Sequence, residues 1–185
     1  MTEERGVAPG LLIAMPQLRD PNFVRSVVLM LEHGSAGSFG LVLNRPTDTR
    51  VADVLEVLNL PWMGDPEATV WSGGPVTPQS GWVLHAPCAG EGAPGLEGVP
   101  GIQLSTTPDQ LKALALRPPA RLRFLMGYAG WGPGQLEGEL AAGAWVLAEG
   151  DADLVFETPP DRLWEAALHS LGVEPASLAP GSGIH

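Results

Sequence analysis

The stretch Gly127-Tyr128-Ala129-Gly130-Trp131-Gly132-Pro133-Gly134-Gln135-Leu136-Glu137 holds the densest set of residues whose types could do chemistry. Ahead of it, Arg-Leu-Arg-Phe-Leu-Met (121–126) reads as a strand; behind it, 135–142 reads as a short helix closed by Gly143. A glycine-rich turn between strand and helix aims backbone N–H groups and the positive end of a helix dipole at one point, which suits an anion. The same composition also makes a tight packing corner with Trp131 as its wedge. The spacing is Gly-x-Gly-x-Gly, Trp131 puts bulk where a phosphate loop needs none, and Pro133 removes a donor. A dinucleotide fingerprint is therefore not met. A pocket for another small ligand, using Gly130, Trp131 and Gln135, stays open beside the structural corner.

Five further constellations bear on function. Ser72-Gly73-Gly74-Pro75 places a hydroxyl before two glycines, but no Gly-x-Ser-x-Gly elbow is present and no base can be assigned, so a turn is the better reading. Arg25 and Asn44-Arg45-Pro46 could clamp a carboxylate or phosphate. Taken by themselves, the two arginines are expected to pair with local acids such as Glu32 or Asp20. The histidines at 33, 85, 169 and 185 show no His-x-x-x-His or His-Glu-x-x-His pairing, so no zinc hydrolase is expected. His85, which ends an apolar strand and leads into a glycine- and proline-rich loop, is the one candidate for acid–base work. Cys88 is the single cysteine; it excludes an internal disulfide and a cysteine-based zinc site, and reads as a bystander thiol. Glu137 and Glu139 point to different helix faces and form no carboxylate pair.

The elements that must position these residues follow from apolar patterning. Residues 10–15 and 26–31 are apolar runs without polar alternation, the mark of strands covered on both faces. Residues 39–43 return from a loop at 32–38, making a hairpin that Pro46 ends. Val51, Val54, Leu55 and Leu58 recur at helical spacing with Thr49 as N-cap. Strands are expected at 69–71, 81–85, 144–148 and 153–156. Thr107-Pro108-Asp109-Gln110 is a capping-box signature, and Thr158-Pro159-Pro160-Asp161 is expected to start the last helix in the same way. Gly172 supplies that helix's C-cap.

The 185 residues carry a formal net charge of −11 and 44% hydrophobic side chains. That is enough apolar content for one good-sized core, and the charge disfavours direct duplex DNA binding. The six tryptophans sit in apolar segments with little positive charge nearby, so they read as core and not as base-stacking platforms. The first ten residues lack the order of a signal peptide, and no apolar run approaches the ~20 residues of a spanning helix. The expectation is a soluble cytoplasmic protein with no membrane contact. One domain is expected over 1–185, with a mobile loop at 87–101 and a loosely held tail at 176–185. The mix of hairpins and strand–helix units predicts α+β: a mixed, strongly curved barrel-like sheet flanked by about four helices.

Met15-Pro16-x-Leu18-x-Asp20-Pro21-Asn22-Phe23, Glu32-His33, Gly40-Leu41-Val42-Leu43-Asn44-Arg45-Pro46, Gly73-Gly74-Pro75-Val76 and Gly127-Tyr128-Ala129-Gly130-Trp131-x-x-x-Gln135-Leu136-Glu137 occur in order. Together they closely resemble the bacterial AlgH/YqgE family, from about residue 10 to 177. The resemblance implies a single α+β domain with a barrel-like β core. Some members carry the label of putative transcriptional regulator, without a DNA-binding motif behind it, and the resemblance implies no particular activity.

Specific turn motifs without an assignable nucleophile, base or metal set predict a non-catalytic binding or regulatory module. It would act through a protein partner or a small anionic ligand, with no cofactor and no metal. The expected site is a cleft between the turns 72–75 and 127–134, lined by Arg25, Asn44, Arg45, Gly73, Gly74, Gly130, Trp131 and Gln135. An enzyme of unknown reaction using His85 at that cleft is the alternative, and direct DNA binding comes third.

Overall fold

Leu-Leu-Ile-Ala and Val-Val-Leu-Met carry no polar positions because their strands are buried on both faces. The computed structural model describes residues 10–87 and 101–174. In it β1 (Gly10–Ala14) pairs antiparallel with β2 (Val27–Gly34), and β2 with β3 (Gly37–Val42). Leu11, Ile13, Val27 and Leu29 face one apolar cluster; Leu12, Ala14, Val28 and Met30 face another. Each fully buried aliphatic side chain contributes roughly 1.5–3 kcal/mol, so this triple of strands anchors the core.

β4 (Pro46–Arg50), α1 (Val51–Val57), β5 (Thr69–Ser72), β6 (Val76–His85), β7 (Gln103–Ser105), α2 (Pro108–Leu116), β8 (Leu122–Trp131), α3 (Gln135–Ala141), β9 (Trp145–Ala148), α4 (Ala152–Glu157) and α5 (Leu163–Ser170) complete the described elements. The sheet order is β4-β5-β8-β3-β2-β1-β9, with β6 and β7 branching from β8. The order is open, so barrel-like describes it only loosely; mixed α+β is the architecture. β8 is the hinge of the design: residues 122–128 pair with β6, 125–126 run parallel to β5, and 129–131 pair with β3. The first cluster lies under α4 and α5, the second under α3, and a third unites α1 and α2 over Val70, Val83 and Phe124.

Several expectations are corrected. The 32–38 segment is mostly strand, since β2 runs to Gly34 and β3 begins at Gly37. Pro46 starts a strand where it was expected only to end one; an edge position tolerates its missing N–H. Arg50, not Thr49, stands at the N-cap of α1, and no side chain caps it. Residues 153–156 are helical because the Asp151 carboxylate accepts from the Asp153 and Leu154 N–H groups and starts α4. Thr158 therefore closes α4, and α5 begins at Leu163 without a side-chain cap. The capping box of Thr107 and Gln110 is present as read. Gly172 takes a left-handed φ of +75°, with Gly172 N–H to the His169 carbonyl and Val173 N–H to the Leu168 carbonyl closing α5. Most of the 87–101 loop and the whole 176–185 tail, with Cys88 and His185, lie outside the described residues. Among the described residues no helix is long and apolar enough to cross a membrane.

Candidate ligand-binding site

Gly127 to Trp131 is strand, not turn; only residues 132–134 bend before α3. The glycines are there for close approach. A Cβ on Gly73 would stand 2.3 Å from the Gly127 carbonyl oxygen, and one on Gly74 would stand 2.2 Å from the Tyr128 carbonyl carbon. A Cβ on Gly127 would stand 2.4 Å from the Gly74 oxygen. Gly73 N–H donates to the Met126 carbonyl at 2.7 Å, and its own carbonyl accepts from Val42 N–H at 2.7 Å. The two glycine runs thus come together with backbone against backbone, and the Gly73 N–H and carbonyl are satisfied by neighbouring strands.

Trp131 is 5% exposed and stacks on Phe23 with ring centroids 5.9 Å apart. Its indole N–H donates to the Glu139 carboxylate at 2.7 Å, and the Trp145 indole donates to the same oxygen at 3.0 Å. Gln135 turns back so that its side-chain oxygen accepts from Gly132 N–H at 3.0 Å. Gly130 is exposed beside Tyr128. These groups build the corner that joins β8 to α3.

His85 is 1% exposed. Its Nδ1 donates to the Ala86 carbonyl at 2.9 Å, which leaves Nε2 to accept from the Ser105 hydroxyl at 2.8 Å. The imidazole ties the end of β6 to β7. Among the described residues no three His, Cys, Asp or Glu side chains gather as a metal site requires.

Arg25, Asn44 and Arg45 do converge. They line a pocket of about 300 Å³ with Pro46, Pro160, Asp161, Trp164 and Glu165. Asn44, 7% exposed, organises this wall. Its side-chain oxygen accepts from Val27 N–H at 3.1 Å and its amide nitrogen donates to the Arg25 carbonyl at 2.9 Å. That grip holds Arg25 at a left-handed φ of +53°, a conformation that costs a non-glycine residue about 1 kcal/mol or more. The kink carries the Arg25 guanidinium across the indole of Trp164, 5.1 Å from the ring centroid. The Trp164 indole N–H donates to the Ala14 carbonyl at 2.7 Å, which fixes the ring. Arg45 donates to the Val24 carbonyl, and burial lowers its guanidinium's pKa from the ordinary value.

The expected pairing of Arg25 and Arg45 with Glu32 or Asp20 does not form. Asp20 instead accepts from the Asn22 N–H in its own turn. Among the described residues neither arginine has a carboxylate within ion-pair distance; Arg121, by contrast, bridges Asp153 at 2.6 Å and Glu157 at 2.8 Å. The pocket does not include Gly73, Gly74, Gly130, Trp131 or Gln135. Sequence reading missed its far wall: Pro160, Asp161, Trp164 and Glu165. The one signal was Trp164 itself, read as a core position of the last helix, which it also is.

An open mixed sheet, with backbone-tight glycine crossings and an arginine-bearing pocket at the start of α5, defines a single-domain α+β protein. Comparison with known proteins names the group. The AlgH-like family matches residues 11–176, and the chain belongs to that family. A UPF0301 protein of Myxococcus xanthus is 48% identical over 98% of this chain and 99% of its own length. Another, from Thioalkalivibrio sulfidiphilus, is 41% identical over the full length of both. The solution structure of AlgH from Pseudomonas aeruginosa is similar with a TM-score of 0.77 at 34% identity, covering 100% of this chain and 99% of that one. A crystal structure from Corynebacterium diphtheriae is similar with a TM-score of 0.68 at 26% identity, covering 88% and 86%.

Proposed function

We propose that this AlgH-like chain is a non-catalytic binding module that takes a small anionic ligand in the pocket where the Arg25 and Arg45 guanidinium groups converge beside Trp164, with Asn44 holding that wall in shape. One observation carries the reading. In a chain of net charge −11, two guanidinium groups without a carboxylate partner among the described residues converge on one concave site. Arginine forks match carboxylate and phosphate oxygens, and a stacked guanidinium loses little freedom on binding. A pocket of about 300 Å³ stands at the small end of ligand sites. The start of α5 lines the same pocket, and its first turn, which no side chain caps, adds its dipole to the attraction for an anion.

The position of the pocket supports a regulatory reading. The pocket joins the Arg25 kink to α5, so a bound anion would tie the β2 and β3 ends to a helix more than a hundred residues further along the chain. Thermal shift with inorganic phosphate, acetate, succinate and citrate tests the reading. At a hundred times its Kd, a bound anion stabilises by about 2.7 kcal/mol, a rise of several degrees in Tm. Arg25→Gln and Arg45→Gln are each expected to weaken that binding at least 10-fold. Equal shifts in the wild type and in both variants would place the binding elsewhere and refute the assignment.

A further inference from the structure

The pocket is not simply basic. Asp161 and Glu165 line it together with Arg25 and Arg45, two charges of each sign around one space. Neither carboxylate forms an ion pair or a side-chain hydrogen bond within the described structure, and neither arginine meets a carboxylate. Opposite charges around a small space ordinarily swing together. Here the two guanidinium groups are held back. Arg45 is tethered to the Val24 carbonyl, and Arg25 lies flat on Trp164. Glu165 belongs to the first turn of α5, and Asp161 to the turn before it. The helix dipole explains an acid at the first turn. It does not explain why two acids share a pocket with two arginines and pair with neither.

Resting on the anion-site reading above, we infer that the ligand is a small zwitterion of free amino-acid type: its carboxylate on Arg25 and Arg45, its ammonium on Asp161 and Glu165. Such a ligand satisfies both sets of charges at once, where a simple anion would leave the two carboxylates facing it with like charge. Pro46, Pro160 and the Trp164 indole supply an apolar surface for the carbon skeleton. Discrimination follows by the same logic. Blocking the amine removes the contact with the acids and leaves a net anion against them, and blocking the carboxylate removes the contact with the arginines.

Isothermal titration of the full chain tests this with three probe sets: the twenty free L-amino acids, the N-acetyl forms of those that bind, and inorganic phosphate. At least one free amino acid is expected to bind, with its N-acetyl form at least 10-fold weaker. Asp161→Asn/Glu165→Gln, both at exposed positions, is expected to stay folded by circular dichroism and to erase that preference. It should do so by weakening the free amino acid while N-acetyl binding holds or improves. If N-acetyl amino acids or phosphate bind as well as free amino acids, and lose affinity in Arg25→Gln, the zwitterion inference falls and the anion site stands. If no amino acid binds, the zwitterion inference falls, and the anion site falls with it if phosphate, acetate, succinate and citrate also fail to shift Tm. A preference for the free amine that survives Asp161→Asn/Glu165→Gln would overturn the assignment of the two acids.

Discussion

Two regions of this chain look alike in the sequence and are opposites in the fold. The glycine crossing of 73–74 with 127–128 and the Arg25–Asn44–Arg45 wall are both dense in polar or unusual residues. At the crossing there is no room: backbone meets backbone, and every added Cβ would fall within 2.4 Å of a main-chain atom. At the arginine wall there is space, and among the described residues its two guanidinium groups form no ion pair, although Asp161 and Glu165 line the same pocket. A tight motif can therefore be specific because it must let two chains touch. What marks a binding site is unspent chemistry beside open volume.

That contrast is breakable, and the largest effect is expected at the crossing. Gly73→Ala and Gly74→Ala should each cost about 3 kcal/mol or more, from steric conflict with backbone that cannot move aside and, at Gly74, from its φ of +146°. Urea denaturation measures this, and a loss under 1 kcal/mol would show that the crossing is loose enough to admit a ligand. Asn44→Ala should cost roughly 2–3 kcal/mol, because it leaves the buried Val27 N–H and the Arg25 carbonyl without their partner. It should also weaken anion binding by releasing the kink; unchanged stability with lost binding would instead make Asn44 a direct ligand group. Glu139→Ala removes the shared acceptor of two indoles and should cost about 2 kcal/mol while leaving anion affinity unchanged. An affinity change in that variant would tie the β8–α3 corner to the pocket. Arg25→Gln should alter stability by no more than about 1 kcal/mol, the worth of an exposed cation–π contact, while binding drops at least 10-fold. Smallest of all, Gly130→Ala should be close to neutral, since its Cβ would meet only Tyr128 Cε2 at 3.5 Å and Val76 Cγ2 at 3.8 Å. The two glycine substitutions that fail and the one that is tolerated together separate close approach from motif membership.

Much of the scaffold was legible. The buried strands announced themselves by runs with no polar positions, and α2 by its capping box. The Arg25–Asn44–Arg45 wall was legible too, as polar residues at the ends of apolar strands. Local propensity failed where tertiary partners decide. Glycines at 127 and 130 read as a turn, yet β3, β5 and β6 all hydrogen-bond to β8 and keep it extended through Trp131. Asp-Leu-Val-Phe reads as a strand by its bulk, and one capping carboxylate, Asp151, makes it a helix. The arginines were expected to find nearby acids because sequence shows only neighbours. Arg25's real partner, Trp164, is far along the chain, and a single residue in a left-handed conformation sets that meeting.

The contrast between crossing and pocket is tested most directly by a ¹H–¹⁵N NMR titration of the uniformly labelled chain with the anionic or zwitterionic probe that binds. The six tryptophans each carry an indole N–H, so the two regions report separately. The prediction is that the Trp164 indole, the Asn44 side-chain amide and the Arg25 and Arg45 signals shift with saturation, while the Trp131 and Trp145 indoles and the amides of Gly73, Gly74 and Gly130 stay in place. Saturable shifts confined to Gly130, Trp131 and Gln135, with Trp164 and Arg25 unmoved, would contradict it.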